Sequence, residues 1–236
     1  MQIKQPVYFL LVILAGGFGG FLVQKFLPSF YSAPESSPNY FVTKEEKYYI
    51  QENDALKEAV QKVRSSVVGI KTVAADKKVI AGSGLILTSD GLAVTLAELV
   101  PASGKTSFFI DSQLVNGQIL KRDLKQNLAL IKIEKSGLST GGFFMLDQLK
   151  IGERVFLVGQ IFDAKTFVPN FLTNEGVAKS FDSEFTVQTS IRETDAVSGA
   201  PVFDIKGSVL GLSYIYGSNG SVAVLPITKV KAFAGL

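Results

Sequence analysis

The chain has 236 residues, a formal net charge of +3, and 47% hydrophobic against 19% charged residues. That composition can build a sizeable core and excludes global disorder, and the charge is too small and too scattered to form a nucleic-acid-binding stripe. There is no cysteine and no histidine, which rules out disulfides, thiolate catalysis and cysteine-based metal sites, and removes the usual general base near neutral pH. No metal and no cofactor is expected, and any hydrolytic chemistry must run on carboxylates, lysines or hydroxyls. Eighteen Phe and 22 Gly with no Trp lean toward a β-rich fold with many tight turns.

From the N-terminus, Val7 to Val23 carries no charge, and Pro6 to Leu27 carries only Lys25. At ~1.5 Å per residue this run predicts a single membrane-spanning helix, with Lys4 and Lys25 at its ends. A cleaved signal peptide is the alternative, with Ala15-Gly16-Gly17 as small residues near a cleavage point. The apolar run continues through Phe21, Leu22 and Val23, which favours the uncleaved anchor. The short cationic lead, Met1 to Gln5, places the N-terminus in the cytoplasm and the C-terminal bulk outside it. Gly16 and Gly20 have the spacing of a helix-pairing motif, but glycine is common in membrane helices, so an oligomer is not supported.

Pro28 to Asn39 holds three prolines and four serines and reads as a linker. Thr43 with Glu46 forms a capping box that opens a helix-like stretch. From Asp54, Leu56, Ala59, Val60 and Val63 recur at helical spacing, predicting a lead-in helix that packs on the domain. The expected organisation is an anchor over 1–27, a linker and helix start over 28–53, and a folded domain over 54–236.

After Arg64 the period changes. Short apolar runs recur at Ser66–Val73, Val79–Thr88, Leu92–Thr95, Ser107–Ile110, Gln118–Lys121, Leu128–Ile133, Arg154–Val158, Val177–Ser180, Phe185–Thr189, Pro201–Phe203, Ser208–Tyr216 and Ser221–Leu225. Between them lie turn signals such as Ser89-Asp90-Gly91, Asn116-Gly117, Lys206-Gly207 and Ser218-Asn219-Gly220. About a dozen strands without interleaved long helices predict an all-β barrel or sandwich, and periodicity leaves the two open.

Three segments carry a resemblance. Gly82-Ser-Gly-Leu-Ile-Leu-Thr-Ser-Asp-Gly-Leu-Ala-Val-Thr-Leu-Ala-Glu98-Leu-Val resembles a G-S-G-x-x-x-x-x-x-G-x-x-x-T-x-x-H-V pattern. Asn127-Leu-Ala-Leu-Ile-Lys-Ile resembles a D-L-A-x-L-K-x strand. Phe185 to Asp204, with Ser198-Gly-Ala-Pro at its centre, resembles a Q-T-D-A-x-x-x-x-G-N-S-G-G-P-L segment. Smaller marks are Gly152-Glu153, Glu175-Gly176-Val177 and Gly207-x-Val-x-Gly211. In order and spacing these resemble the trypsin-like serine proteases of the HtrA type. The resemblance covers Gly82 to Leu225 and implies a chymotrypsin-like pair of six-stranded β-barrels, over about 64–145 and 146–236. The C-terminus follows soon after the last strand, so a C-terminal PDZ domain is not expected.

The chemistry that the resemblance implies is incomplete. In this family a serine attacks the carbonyl, a histidine takes and returns its proton, and an aspartate holds the histidine. Ser198 fills the nucleophile position, but Glu98 stands at the histidine position and Asn127 at the aspartate position. The oxyanion turn Ala196-Val197-Ser198 also departs from the pattern, because Ala196 replaces a glycine whose N–H serves the oxyanion hole. If that position requires a positive φ, alanine resists it. A carboxylate is a poor base for a serine hydroxyl unless burial raises its affinity for protons, and a hydrogen bond from Asn127 would favour the ionised form. The expectation is a membrane-anchored, catalytically inactive homologue that binds a peptide or protein partner through its cleft or edge strands. The alternative is a weak serine endopeptidase that uses Ser198 with Glu98 as base. Asp195 matches no triad member, and Phe143-Phe144 reads as barrel core or cap rather than an exposed patch.

Overall fold

A computed structural model describes residues 5–26, 54–163, 166, 168–182, 184 and 186–236. The expected linker at Pro28–Asn39 and the capping box at Thr43 lie outside the described residues. The segment 5–26 and the folded domain form separate compact units. In the first, α1 (Gln5–Phe26) is 22 residues long. Among the described residues no helix is long and apolar enough to cross a membrane. The structure therefore does not bear out the spanning helix expected from the sequence.

The folded domain opens with α2 (54–63), where the helical spacing predicted it. Ala59 and Val63 are buried in the core, with Leu56 and Val60 packed against them. Among the described residues fourteen strands follow. In the first half they are β1 (Val67–Val73), β2 (Val79–Ile86), β3 (Leu92–Leu96), β4 (Lys105–Ile110), β5 (Gln113–Val115), β6 (Gly117–Asp123) and β7 (Leu128–Ile133). In the second half they are β8 (Gly142–Phe143), β9 (Arg154–Phe162), β10 (Pro169–Phe181), β11 (Val187–Arg192), β12 (Pro201–Asp204), β13 (Ser208–Tyr216) and β14 (Ser221–Pro226). A last helix, α3 (Ile227–Ala234), buries Ile227, Val230 and Phe233. The strand pattern is plain in β11, where Val187, Thr189 and Ile191 face inward and Gln188, Ser190 and Arg192 outward.

The two halves differ in closure, which corrects the expected pair of six-stranded barrels. The second half is a closed barrel of β12-β9-β10-β11-β14-β13, joined by the β12–β13 ladder, with β8 added beside β13. The first half is an open seven-stranded sheet in the order β5-β4-β1-β2-β3-β7-β6. Its terminal strands follow one another through Asn116, β5 pairing with β4 and β6 with β7, and no ladder joins β5 to β6. The sheet curls into a half-barrel without a closing ladder.

Two further strands lie where the sequence reading places loops. β5 and β8 are only three and two residues long, too short for an alternating pattern. β10 begins at Pro169, well before the expected Val177. Its first half shows no clean alternation, with Asn170, Phe171, Thr173 and Glu175 exposed and Asn174 and Gly176 only half-buried, yet the strand pairs continuously with β9 from Pro169–Phe162 to Val177–Arg154.

Candidate functional site

The site is built where the half-barrel meets the closed barrel, and two glycines make the meeting possible. A Cβ on Gly82 would lie 2.5 Å from the Ser198 carbonyl oxygen, and a Cβ on Gly199 would lie 2.3 Å from the Ser83 oxygen. Gly199 also has φ +75°, a conformation that side chains resist. With both side chains absent, the two backbones pack directly, and Ser83 N–H donates to Ser198 O at 2.9 Å.

Ser83 is the hub of this junction, a role the sequence does not announce. Its carbonyl accepts the Thr95 hydroxyl at 2.6 Å, and its own hydroxyl oxygen accepts Gln160 N–H at 2.8 Å. Thr95 lies three residues before Glu98, at the end of β3. Thr72 Oγ1 donates to Leu99 O at 2.7 Å and pins the short 3-10 turn Ala97–Leu99 that carries Glu98. On the far side, Ser213 Oγ donates to Val197 O at 2.6 Å and holds the Ser198 turn.

The predicted site residues do come together. Glu98, Asn127, Ala196 and Ser198 line one cleft of about 650 Å³, with Asp195, Leu99, Tyr214, Ile215 and the β2 segment Lys78–Ala81 completing its walls. Ser198 is 5% exposed, whereas Glu98 stands in solvent. Their hydrogen bonding is not that of a triad. Asn127 Oδ1 accepts the Glu98 backbone N–H at 3.2 Å, and Asn127 Nδ2 donates to Glu98 Oε2 at 3.3 Å. Among the described residues no hydrogen bond joins Ser198 to Glu98. Asn127 takes a left-handed conformation, φ +50°, which asparagine tolerates better than most residues.

The oxyanion turn is occupied from within. Asp195, Ala196 and Val197 form a single 3-10 turn capped by Ser198, and the Ser198 N–H donates to Asp195 O at 3.0 Å. An oxyanion hole needs the nucleophile's own N–H directed at the developing charge, and here that donor is bonded inside the turn. Ala196 is not among the residues with positive φ. Tyr214 forms a neutral wall, since burial pushes its phenol above the usual 10. Among the described residues no group of three potential ligands could hold a metal ion.

Comparison with known proteins fits this geometry. A family model for the trypsin-like peptidase domain matches residues 82–212, more than half of the chain. The chain belongs to that family. Its relatives include probable periplasmic DegP-like serine endoproteases. One from Ectopseudomonas mendocina is 29% identical over 59% of this chain and 30% of its own length. One from Chlamydia trachomatis is 30% identical over 61% of this chain and 30% of its own length. The serine protease HTRA1 of Xenopus laevis is 28% identical over 64% of this chain and 35% of its own length. The chain thus spans about a third of the curated relatives it matches. Among solved structures, the serine endoprotease of Yersinia pestis superposes with a TM-score of 0.67 at 16% identity, over 76% of this chain and 65% of that one. The HtrA-type protease AlgW with tripeptide gives 0.67 at 17% identity, over 76% and 62%. The trypsin-like domain found here shares their fold, with its open first half and closed second half.

Proposed function

We propose that this trypsin-like domain does not cleave peptides and instead binds an extended segment of a peptide or protein partner. The observation that carries the reading is where Glu98 spends its hydrogen bonds. The residue at the base position is tied to Asn127 through both its backbone and its carboxylate, and it makes no bond to Ser198. The bonded Ser198 N–H adds to this, because a hydroxyl without a base gains nothing from a hole lacking one donor.

The cleft has the rails that an extended segment requires. β2 pairs with β3 only from Gly84 onward, so residues 79–82 keep one ladder edge free beside the cleft. On the opposite wall, Tyr214–Tyr216 pairs only with β14. An extended chain laid along either edge would add a strand through main-chain hydrogen bonds.

The same reading places the domain outside the cytoplasm, as the names of the periplasmic relatives suggest, and tethers it through α1. Its side chains Phe9, Leu10, Val12, Ile13, Phe18 and Phe21 are apolar and exposed, and contact with a lipid surface would relieve that exposure. Carbonate extraction of membranes tests the tether. Retention of the full chain in the pellet and its release after removal of 1–27 is the expected result, and release of the full chain would contradict it.

Activity-based labelling tests the main claim. The full chain is expected to give no covalent adduct with a fluorophosphonate probe and no cleavage of unfolded casein from acid to mildly alkaline pH. Labelling that disappears in Ser198→Ala would favour the second reading, in which Glu98 serves as an unconventional base.

A further inference from the structure

The cleft contains two carboxylates without a cationic partner, and their placement points to what the bound segment carries. Glu98 comes from the half-barrel, on the 3-10 turn that follows β3, and Asp195 comes from the closed barrel, at the start of the turn before Ser198. Both line the same cleft and both are exposed. Neither makes an ion pair among the described residues, and Asp195 also makes no side-chain hydrogen bond there. Lys78 is the one cation lining the cleft among the described residues, at the outer end of β2. Two carboxylates against one ammonium leave the lining net negative.

Glu98 is more than a surface acid. Asn127 fixes its backbone and one carboxylate oxygen, which lowers the cost of orienting the other oxygen toward a ligand. Ser198 lines the same cleft; the residue is 5% exposed, and its hydroxyl makes no hydrogen bond among the described residues. An unpartnered hydroxyl that opens on the cleft is an acceptor available to an N–H donor. Tyr214 adds a neutral aromatic wall, a surface on which the stem of a long cationic side chain packs well.

We propose that the cleft receives a lysine or arginine side chain of an extended peptide segment, held between Glu98 and Asp195 with Ser198 as the third acceptor. This rests on the peptide-binding reading above and adds the chemistry of the bound residue.

The test uses the full chain in detergent micelles, immobilised and exposed to a library of extended decapeptides. One central position is fixed in turn as lysine, arginine, norleucine or glutamate, and the retained peptides are counted by mass spectrometry. The basic sub-libraries are expected to be enriched about tenfold over norleucine at low salt, with the preference shrinking as salt rises. Glu98→Gln and Asp195→Asn should each reduce that enrichment severalfold, while Lys78→Ala should not lower it. Unfolding curves matched to wild type show that the variants remain folded. Equal retention of norleucine and lysine would overturn the inference and leave peptide binding intact. Retention of no sub-library by the wild-type chain would overturn the peptide-binding reading and this inference together.

Discussion

Asn127 grips Glu98 with both ends of its side-chain amide, accepting the Glu98 N–H at 3.2 Å and donating to the Glu98 carboxylate at 3.3 Å. In an aspartate–histidine pair the aspartate accepts the histidine N–H. Here Asn127, at the aspartate position, donates to the Glu98 carboxylate, so the side-chain contact between the two positions persists with its sense reversed. The negative charge has moved from the orienting position to the exposed one that faces the cleft.

Asn127→Ala removes both of these bonds and places alanine at φ +50°. Two partly exposed hydrogen bonds and a left-handed residue together cost about 2 kcal/mol. Urea unfolding should show that loss with an unchanged m-value. Asn127→Gly, which keeps the conformation accessible, should lose distinctly less.

Gly199→Ala forces a Cβ to within 2.3 Å of the Ser83 oxygen at a residue with φ +75°. Backbone cannot retreat as a side chain can, so the expected cost is about 3 kcal/mol or more. Thermal unfolding checks this. A near-wild-type midpoint would mean that the two halves are not locked together at this point.

Gln160 is fully buried on β9, and neither its side-chain oxygen nor its nitrogen has a partner among the described residues. An unpaired buried amide costs about 1–3 kcal/mol. Gln160→Met keeps the unbranched shape beside Gly69 and removes that cost, so stability should rise by about 1 kcal/mol in urea unfolding. The Gln160 backbone bond to Ser83 is unaffected.

Asp90 sits in the turn after β2 with Lys132 Nζ at 2.7 Å. That hydrogen bond, with a second from Thr88, takes its carboxyl from 3.8 to about 2. Because the folded-state value lies below the unfolded one, the contribution is complete above about pH 4 and disappears as pH falls toward 2. Asp90→Asn should therefore be less stable than wild type near neutrality, and the two should converge in urea unfolding near pH 2.

Much of this architecture could be read from local residue patterns. Turn chemistry at Ser89-Asp90-Gly91 and Ser218-Asn219-Gly220 bracketed the strands, and three sequence segments placed Glu98, Asn127 and Ser198 at corresponding positions before they were seen in one cleft. What escaped depends on long-range pairing. β5 pairs with β4 and β6 with β7 although only Asn116 separates them, and the first half of β10 shows no clean alternation. α3 leaves little periodic signal because its inward residues, Ile227, Val230 and Phe233, span barely two turns. The hub role of Ser83 joins residues distant in sequence, Thr95 and Gln160, and the Ser198 N–H is bonded within its own turn, contacts that no local residue pattern encodes.

The most direct measurement is the reaction of Ser198 with a fluorophosphonate, followed by intact mass over a range of pH. The account predicts an unmodified mass for the wild-type chain at every pH, indistinguishable from Ser198→Ala. A stoichiometric adduct on Ser198, absent from Ser198→Ala and abolished by Glu98→Gln, would contradict it and establish Glu98 as a working base.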